Sequence, residues 1–110
     1  MGLYVVNTPI ISVDEKIEEI YVKVRKISIE EAKELLRKSE FISAVGHEAT
    51  ASFLSKLFQV NIPYNRIYIK YRPSDKAICL KVLQRLPEGK VLSEEEIKQI
   101  PFEIYLLEFY

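Results

Sequence analysis

The 110-residue chain has one cysteine, Cys79, one histidine, His47, and no tryptophan. A single cysteine excludes an internal disulfide and any zinc site built on cysteine pairs, and a single histidine excludes a histidine-rich centre within one chain. A resident metal would have to rest on carboxylates, and no cofactor is expected. An excess of one charge is missing too, because 16 Lys and Arg balance 16 Asp and Glu. Net charge therefore gives no reason for the protein to coat long nucleic acid or an anionic membrane, and any anion must be held by a local site. Apolar runs such as Leu3-Tyr4-Val5-Val6 and Tyr105-Leu106-Leu107 fall far short of the ~20 residues that span a bilayer. The N-terminus carries no basic, apolar, small-residue leader, so a cytoplasmic protein is expected. Only three Gln and three Asn accompany abundant Ile, Glu and Lys, a bias reported for proteins that work at high temperature.

What is present describes one domain, residues 1–110, since separate cores appear only in much longer chains. Leu3-Tyr4-Val5-Val6 reads as a buried strand, ended where Pro9 removes a backbone donor. Between Ile17 and Ile27, Ile20, Val22 and Val24 alternate with Glu19, Lys23 and Arg25, the period of a strand with one wet face. Ser28 followed by Glu31 has capping-box spacing, and Ile29, Ala32, Leu35 and Leu36 then share one helical face. A second helix, opening near His47, repeats apolar positions through Phe53, Leu54, Leu57 and Phe58. Alternation over Arg66–Arg72, the turn Pro73-Ser74-Asp75-Lys76 and the run Ala77–Leu83 predict an antiparallel hairpin. Ser93 and Glu96 start a short helix that Pro101 stops, before a last strand over Phe102–Phe109. The expected fold class is α+β, a mixed sheet of about five strands in the order β-β-α-α-β-β-α-β with helices packed on it. Apolar residues on both faces of the last strand raise two alternatives, a partner surface or cover within the chain.

Four features could carry chemistry. His47 sits at a helix start behind Gly46, whose missing side chain lets a ligand approach the backbone; free N–H groups there favour an anion and disfavour imidazolium. The plain alternative is a turn with a capping histidine. In Gln84-Arg85-Leu86-Pro87-Glu88-Gly89 a guanidinium and a carboxylate stand three residues apart in a loop after a strand, as a site or as a surface ion pair. Arg66, Lys70 and Arg72 around Tyr68 form either a basic stripe able to stack on bases or a solvated face. Asn7 ends an apolar strand, where an amide either holds a ligand or makes a turn before Pro9. Cys79 falls mid-strand and reads as a small packed residue.

Read together, Ala44-Val45-Gly46-His47 with Ala49-Thr50, Asn65-Arg66-Ile67-Tyr68-Ile69-Lys70, and Gln84-Arg85-Leu86-Pro87-Glu88-Gly89-Lys90-Val91-Leu92 resemble the viral ring nucleases, the type III anti-CRISPR family of archaeal viruses. The likeness runs along nearly the whole chain and includes Asn7. It implies a homodimeric, metal-independent enzyme that cuts cyclic tetra-adenylate into linear oligoadenylates. His47 matches the family's catalytic histidine, Arg85 and Glu88 its other active-site residues, and Asn7, Arg66 and Gln84 positions that contact the ligand. Where some members carry Ala-Phe-Ser after the strand-one Asn, this chain has Thr8-Pro9-Ile10. Two other readings stand beside it: a non-catalytic cyclic-nucleotide sponge, and a viral interaction or nucleic-acid-binding module using the Arg66, Lys70 and Arg72 stripe.

Overall fold

The computed structural model describes residues 2–84 and 92–110. Its elements are β1 (Leu3–Val6), β2 (Val22–Lys26), α1 (Ile29–Lys38), β3 (Ile42–Ala44), α2 (Glu48–Phe58), β4 (Lys76–Val82), α3 (Glu94–Gln99) and β5 (Phe102–Phe109). The strands form one five-stranded mixed sheet in the spatial order β2-β5-β4-β1-β3. β1 pairs in parallel with β3 and β4, and β5 runs antiparallel to β2 and β4. The fold is the expected α+β class. Both helix-start signals act locally: the Ser28 hydroxyl accepts from Glu31 N, and Ser93 with Glu96 closes a full capping box. At Ser28 the box is only half made, because the Glu31 carboxylate turns to Arg25 at 2.6 Å instead.

Two expected elements come out differently. Residues 66–72 do not form a hairpin with β4, because both edges of β4 are already taken by β1 and β5. That segment instead touches neighbouring backbone through an isolated bridge from Tyr71 to Val13. The fifth strand is β3, three residues on the outer edge beside β1, so the chain order is β-β-α-β-α-β-α-β. The early strand also starts late, at Val22, well after a turn in which Ile17 N donates to Asp14 O at 2.8 Å.

Strand alternation divides the core into two layers. On one face Val5, Ile78, Leu80, Ile104 and Leu106 pack against Leu36 of α1, Phe53, Leu54 and Phe58 of α2, and Ile97 of α3. On the other, Val6, Ala77, Cys79, Leu107 and Phe109 are covered in part by the crossing segment, where buried Tyr71 stacks on Phe109 at 4.1 Å and meets Tyr4 edge-on. Burial pushes the Tyr71 phenol up to about 12 and the Cys79 thiol up to about 11, so Cys79 is a packed thiol with little thiolate character. The cover is incomplete. An apolar groove of about 270 Å³ remains between Pro9, Ile11, Val24, Tyr105 and Leu107, with Val24 59% exposed.

Asp75 locks the crossing segment to the sheet. Buried, it accepts from Gly2 N and Arg72 N, both at 2.9 Å, one bond on each carboxylate oxygen. Its backbone carbonyl accepts from Phe109 N at 3.0 Å, so the start of β1, the end of β5 and residues 71–75 meet at one residue. Removing a charged acceptor leaves two donors without partners. Asp75→Ala should therefore lower stability by about 2–4 kcal/mol, read from urea unfolding, with Asp75→Asn recovering part of the loss. A loss under about 0.5 kcal/mol, the range of an ordinary surface change, would contradict this role.

Candidate functional site

Because β1, β3 and β4 are parallel, their C-terminal ends open on the same edge of the sheet. In sheets of this kind ligands settle beyond those strand ends, where loops from non-adjacent stretches of sequence converge. Here the residues that leave those ends are Asn7 after β1, Gly46 and His47 after β3, and Gln84 after β4. Asn7 and Gly46 meet directly: Gly46 N donates to Asn7 Oδ1 at 3.5 Å, a long contact at the limit of a hydrogen bond.

Arg66 reaches the same place by a clamp on the outer edge of β3. The Ser43 hydroxyl donates to Pro63 O at 2.6 Å, Asn65 Nδ2 donates to Ser43 O at 2.7 Å, and Asn65 N donates to Val45 O at 2.9 Å. Tyr64 completes the attachment with a parallel bridge to Val45. These bonds lay Arg66 across Gly46. A Cβ on Gly46 would stand 3.1 Å from Arg66 Cγ and 3.5 Å from its Cβ, so glycine is what admits the arginine stem this close.

His47 is the N-cap residue of α2, with extended backbone at φ −141° and ψ 121°, and its carbonyl accepts the first helical bond from Ala51 N at 3.0 Å. Its side chain does not cap the helix. The ring instead meets the nearly buried Thr50 hydroxyl through Nδ1 at 3.4 Å, which holds an otherwise exposed imidazole over the first turn. First-turn N–H groups of α2 are thus not satisfied by His47, and the positive end of the helix faces the same edge as Arg66 and Asn7.

The structure brings together Asn7, Gly46, His47 and Arg66, and sets exposed Gln84 beyond β4 on the shared edge. Arg85 and Glu88 lie outside the described residues. The ends flanking them are fixed: Leu83 N donates to Pro101 O at 2.9 Å, and Lys56 Nζ donates to Leu92 O. The basic stripe does not exist as a strand face, since residues 66–72 are not a strand and Arg72 is paired with Asp14 at 3.0 Å. Among the described residues no three His, Cys, Asp or Glu side chains converge on a possible metal position. Sequence reasoning missed the parts played by Thr50 and the Ser43 and Asn65 clamp. Thr50 was within reach, standing three residues after the helix cap, where side chains of one face meet; the clamp joins residues some twenty positions apart and has no local signal.

The sequence profile of the STIV B116-like family matches residues 3–104. Protein 26 of Sulfolobus islandicus filamentous virus is 44% identical over 107 residues, covering 96% of this chain and 90% of that protein. ORF117 of Acidianus two-tailed virus is 35% identical over 108 residues, covering 96% and 91%. In fold, the chain is similar to B116 of Sulfolobus turreted icosahedral virus, with a TM-score of 0.82 over 98% of this chain and 99% of that one, at 24% identity. Matched over nearly all its length in sequence and architecture, the chain belongs to the STIV B116-like family of archaeal virus proteins.

Proposed function

We propose that the protein is a metal-independent ring nuclease that opens cyclic tetra-adenylate by attack of a ribose 2′-hydroxyl, suppressing type III CRISPR signalling in the host cytoplasm on behalf of a virus. The observation that carries this reading is the convergence of Gly46, His47, Asn7 and Arg66 at one edge of an otherwise charge-balanced protein. A compact anion is the natural occupant of that edge, where the N-terminus of α2 and the Arg66 stem both adjoin Gly46. RNA supplies its own nucleophile, so alignment and charge management are enough for cleavage.

In the proposed reaction the 2′-oxygen forms a bond to phosphorus, its proton passes to a base, and the bond from phosphorus to the 5′-oxygen breaks. With Nδ1 turned to Thr50, Nε2 of His47 is the nitrogen that protonates the departing oxygen. Arg66 and, from the family resemblance, Arg85 offset the charge of the pentavalent transition state. Glu88 orients Arg85 or His47, or takes the 2′-hydroxyl proton. Gln84 and Asn7 contact the ligand. The products carry a 2′,3′-cyclic phosphate and a 5′-hydroxyl.

A two-fold homodimer suits a ring of four identical nucleotides, because one axis then relates two sets of the same residues to two opposed phosphates. The groove between Ile11, Val24 and Tyr105, apolar apart from Lys81, is the surface we assign to self-association.

His47→Ala is expected to bind the ring but to cut it at least 100-fold more slowly in single turnover, the loss proper to a positioned general acid of roughly 10²–10⁴-fold effect. A rate within a few-fold of the parent would remove His47 from the reaction, and parent protein that clears only one ring per binding site would identify a sponge. Cleavage should persist in excess EDTA; activity lost to chelator and restored by a divalent ion would overturn the internal-nucleophile mechanism. Light scattering with product chromatography should find a dimer that yields dinucleotides, whereas an active monomer or stable accumulation of linear tetramer would rule out the symmetric arrangement.

A further inference from the structure

Thr50 is the residue of α2 that neither the helix nor the core explains. It stands at the third helical position, 9% exposed, and the residues three and four positions on, Phe53 and Leu54, are buried beneath it. Ala or Val would fill such a place without taking a hydroxyl out of water, and Thr forms helix less readily than Ala. A helical threonine ordinarily settles its hydroxyl on the carbonyl three or four residues back. Here, among the described residues, the hydroxyl has one partner, Nδ1 of the His47 ring at 3.4 Å.

The dependence is mutual. The His47 side chain makes no cap bond to α2, its residue is exposed, and among the described residues its ring has no other hydrogen bond. One contact thus selects a single ring orientation for a side chain that water would otherwise leave free to turn. At 3.4 Å that contact is long, as hydrogen bonds to catalytic groups often are before a ligand closes the site.

From this pairing we infer that Thr50 is a positioning residue that acts through His47: its hydroxyl oxygen accepts the Nδ1 proton and so fixes both the plane of the ring and the nitrogen left for the substrate. The inference deepens the proposed function and rests on it for the reaction. An imidazolium carries a proton on each nitrogen and can only donate. A hydroxyl oxygen accepts from Nδ1–H in the charged ring and in the neutral ring alike, whereas a hydroxyl that donated to Nδ1 would lose its partner whenever the ring was charged. When Nε2 passes its proton to the departing 5′-oxygen, the bond at Nδ1 therefore stays and the ring does not turn; a proton from solvent then restores the imidazolium. Being neutral, Thr50 orients the ring without setting a negative charge beside the phosphates, as a carboxylate in its place would.

The test compares the parent with Thr50→Val and Thr50→Ser in single-turnover cleavage of cyclic tetra-adenylate and of the analogue whose bridging 5′-oxygens are sulfur. Thiols are far stronger acids than alcohols, so a thiolate departs without a proton and its release does not need the acid. Thr50→Val keeps the β-branched shape and a similar helix propensity, and so keeps the fold. It should bind the oxygen ring as the parent does but cut it about tenfold to 100-fold more slowly, with the sulfur analogue cut at close to the parent rate. Thr50→Ser, which retains the hydroxyl, should recover most of the loss. Because His47 is the chain's one histidine, nitrogen NMR reads its tautomer directly: the neutral ring should carry its proton on Nδ1 in the parent and lose that preference in Thr50→Val. A parent that leaves the cyclic ring uncut while the tautomer still depends on Thr50 would uphold the positioning contact and overturn the ring-nuclease reading. A parent that cuts, with Thr50→Val equal to it in rate and tautomer, would overturn the positioning role and leave that reading standing. Equal slowing on the oxygen and sulfur rings would also overturn it, since the loss would then lie outside proton transfer.

Discussion

The parallel pairing of β1 with β3 on one side and β4 on the other is the constraint from which the candidate site follows. Three strands that run the same way must release their chains at one edge, and each leaves through a residue with polar or conformational character: Asn7, Gly46 with His47, and Gln84. No contact between these residues is needed to gather them; strand direction does it. The contact that does form, from Gly46 N to Asn7 Oδ1, is long and weak. Rigidity comes from beneath, where Val5, Val45, Phe53 and Leu54 are fully or almost fully buried.

Arg66 shows how the fold adds a cation to that edge without a strand to carry it. Its segment hangs on β3 by side-chain bonds from Ser43 and Asn65, and the absent Cβ of Gly46 sets how near it can come. Farther along, the same segment crosses the second sheet face, fixes Tyr71 against Phe109, and ends at the buried carboxylate of Asp75. One irregular stretch thus edges the polar site, walls an uncharged cleft beside Asn7 and Thr8, and covers part of a hydrophobic layer. That is why an alternation of Ile67, Ile69 and Tyr71 occurs in residues that are not a strand: Ile69 and Tyr71 pack on the sheet, whereas Ile67 lies at the cleft.

Helix starts and long strands were legible because their causes are local. Ser28 and Ser93 cap helices through residues three positions on, and eight alternating residues of β5 report both of its faces. β3 escaped notice because three residues on a sheet edge, one buried, give too short a run to show a period. The hairpin expectation failed for a different reason. Alternation reports that a segment is extended with one side buried, but says nothing of which neighbour it pairs with, and β4 had no free edge.

The sequence by itself determined the composition-level exclusions, the single domain, the α+β class, the helix caps, the strands β1 and β5, and the identity of Asn7, Gly46, His47 and Arg66 as residues to watch. Each depends on residue chemistry or on spacing within a few positions. Only the tertiary structure decided that these four stand together, that Thr50 engages His47, that Arg72 belongs to Asp14 and not to a basic stripe, and that Tyr68 overhangs an uncharged cleft. The physical reason is sheet order: β1 lies between strands that come from residues 42–44 and 76–82, so its neighbours at the site are distant in sequence, and no local pattern encodes which strand lies beside which.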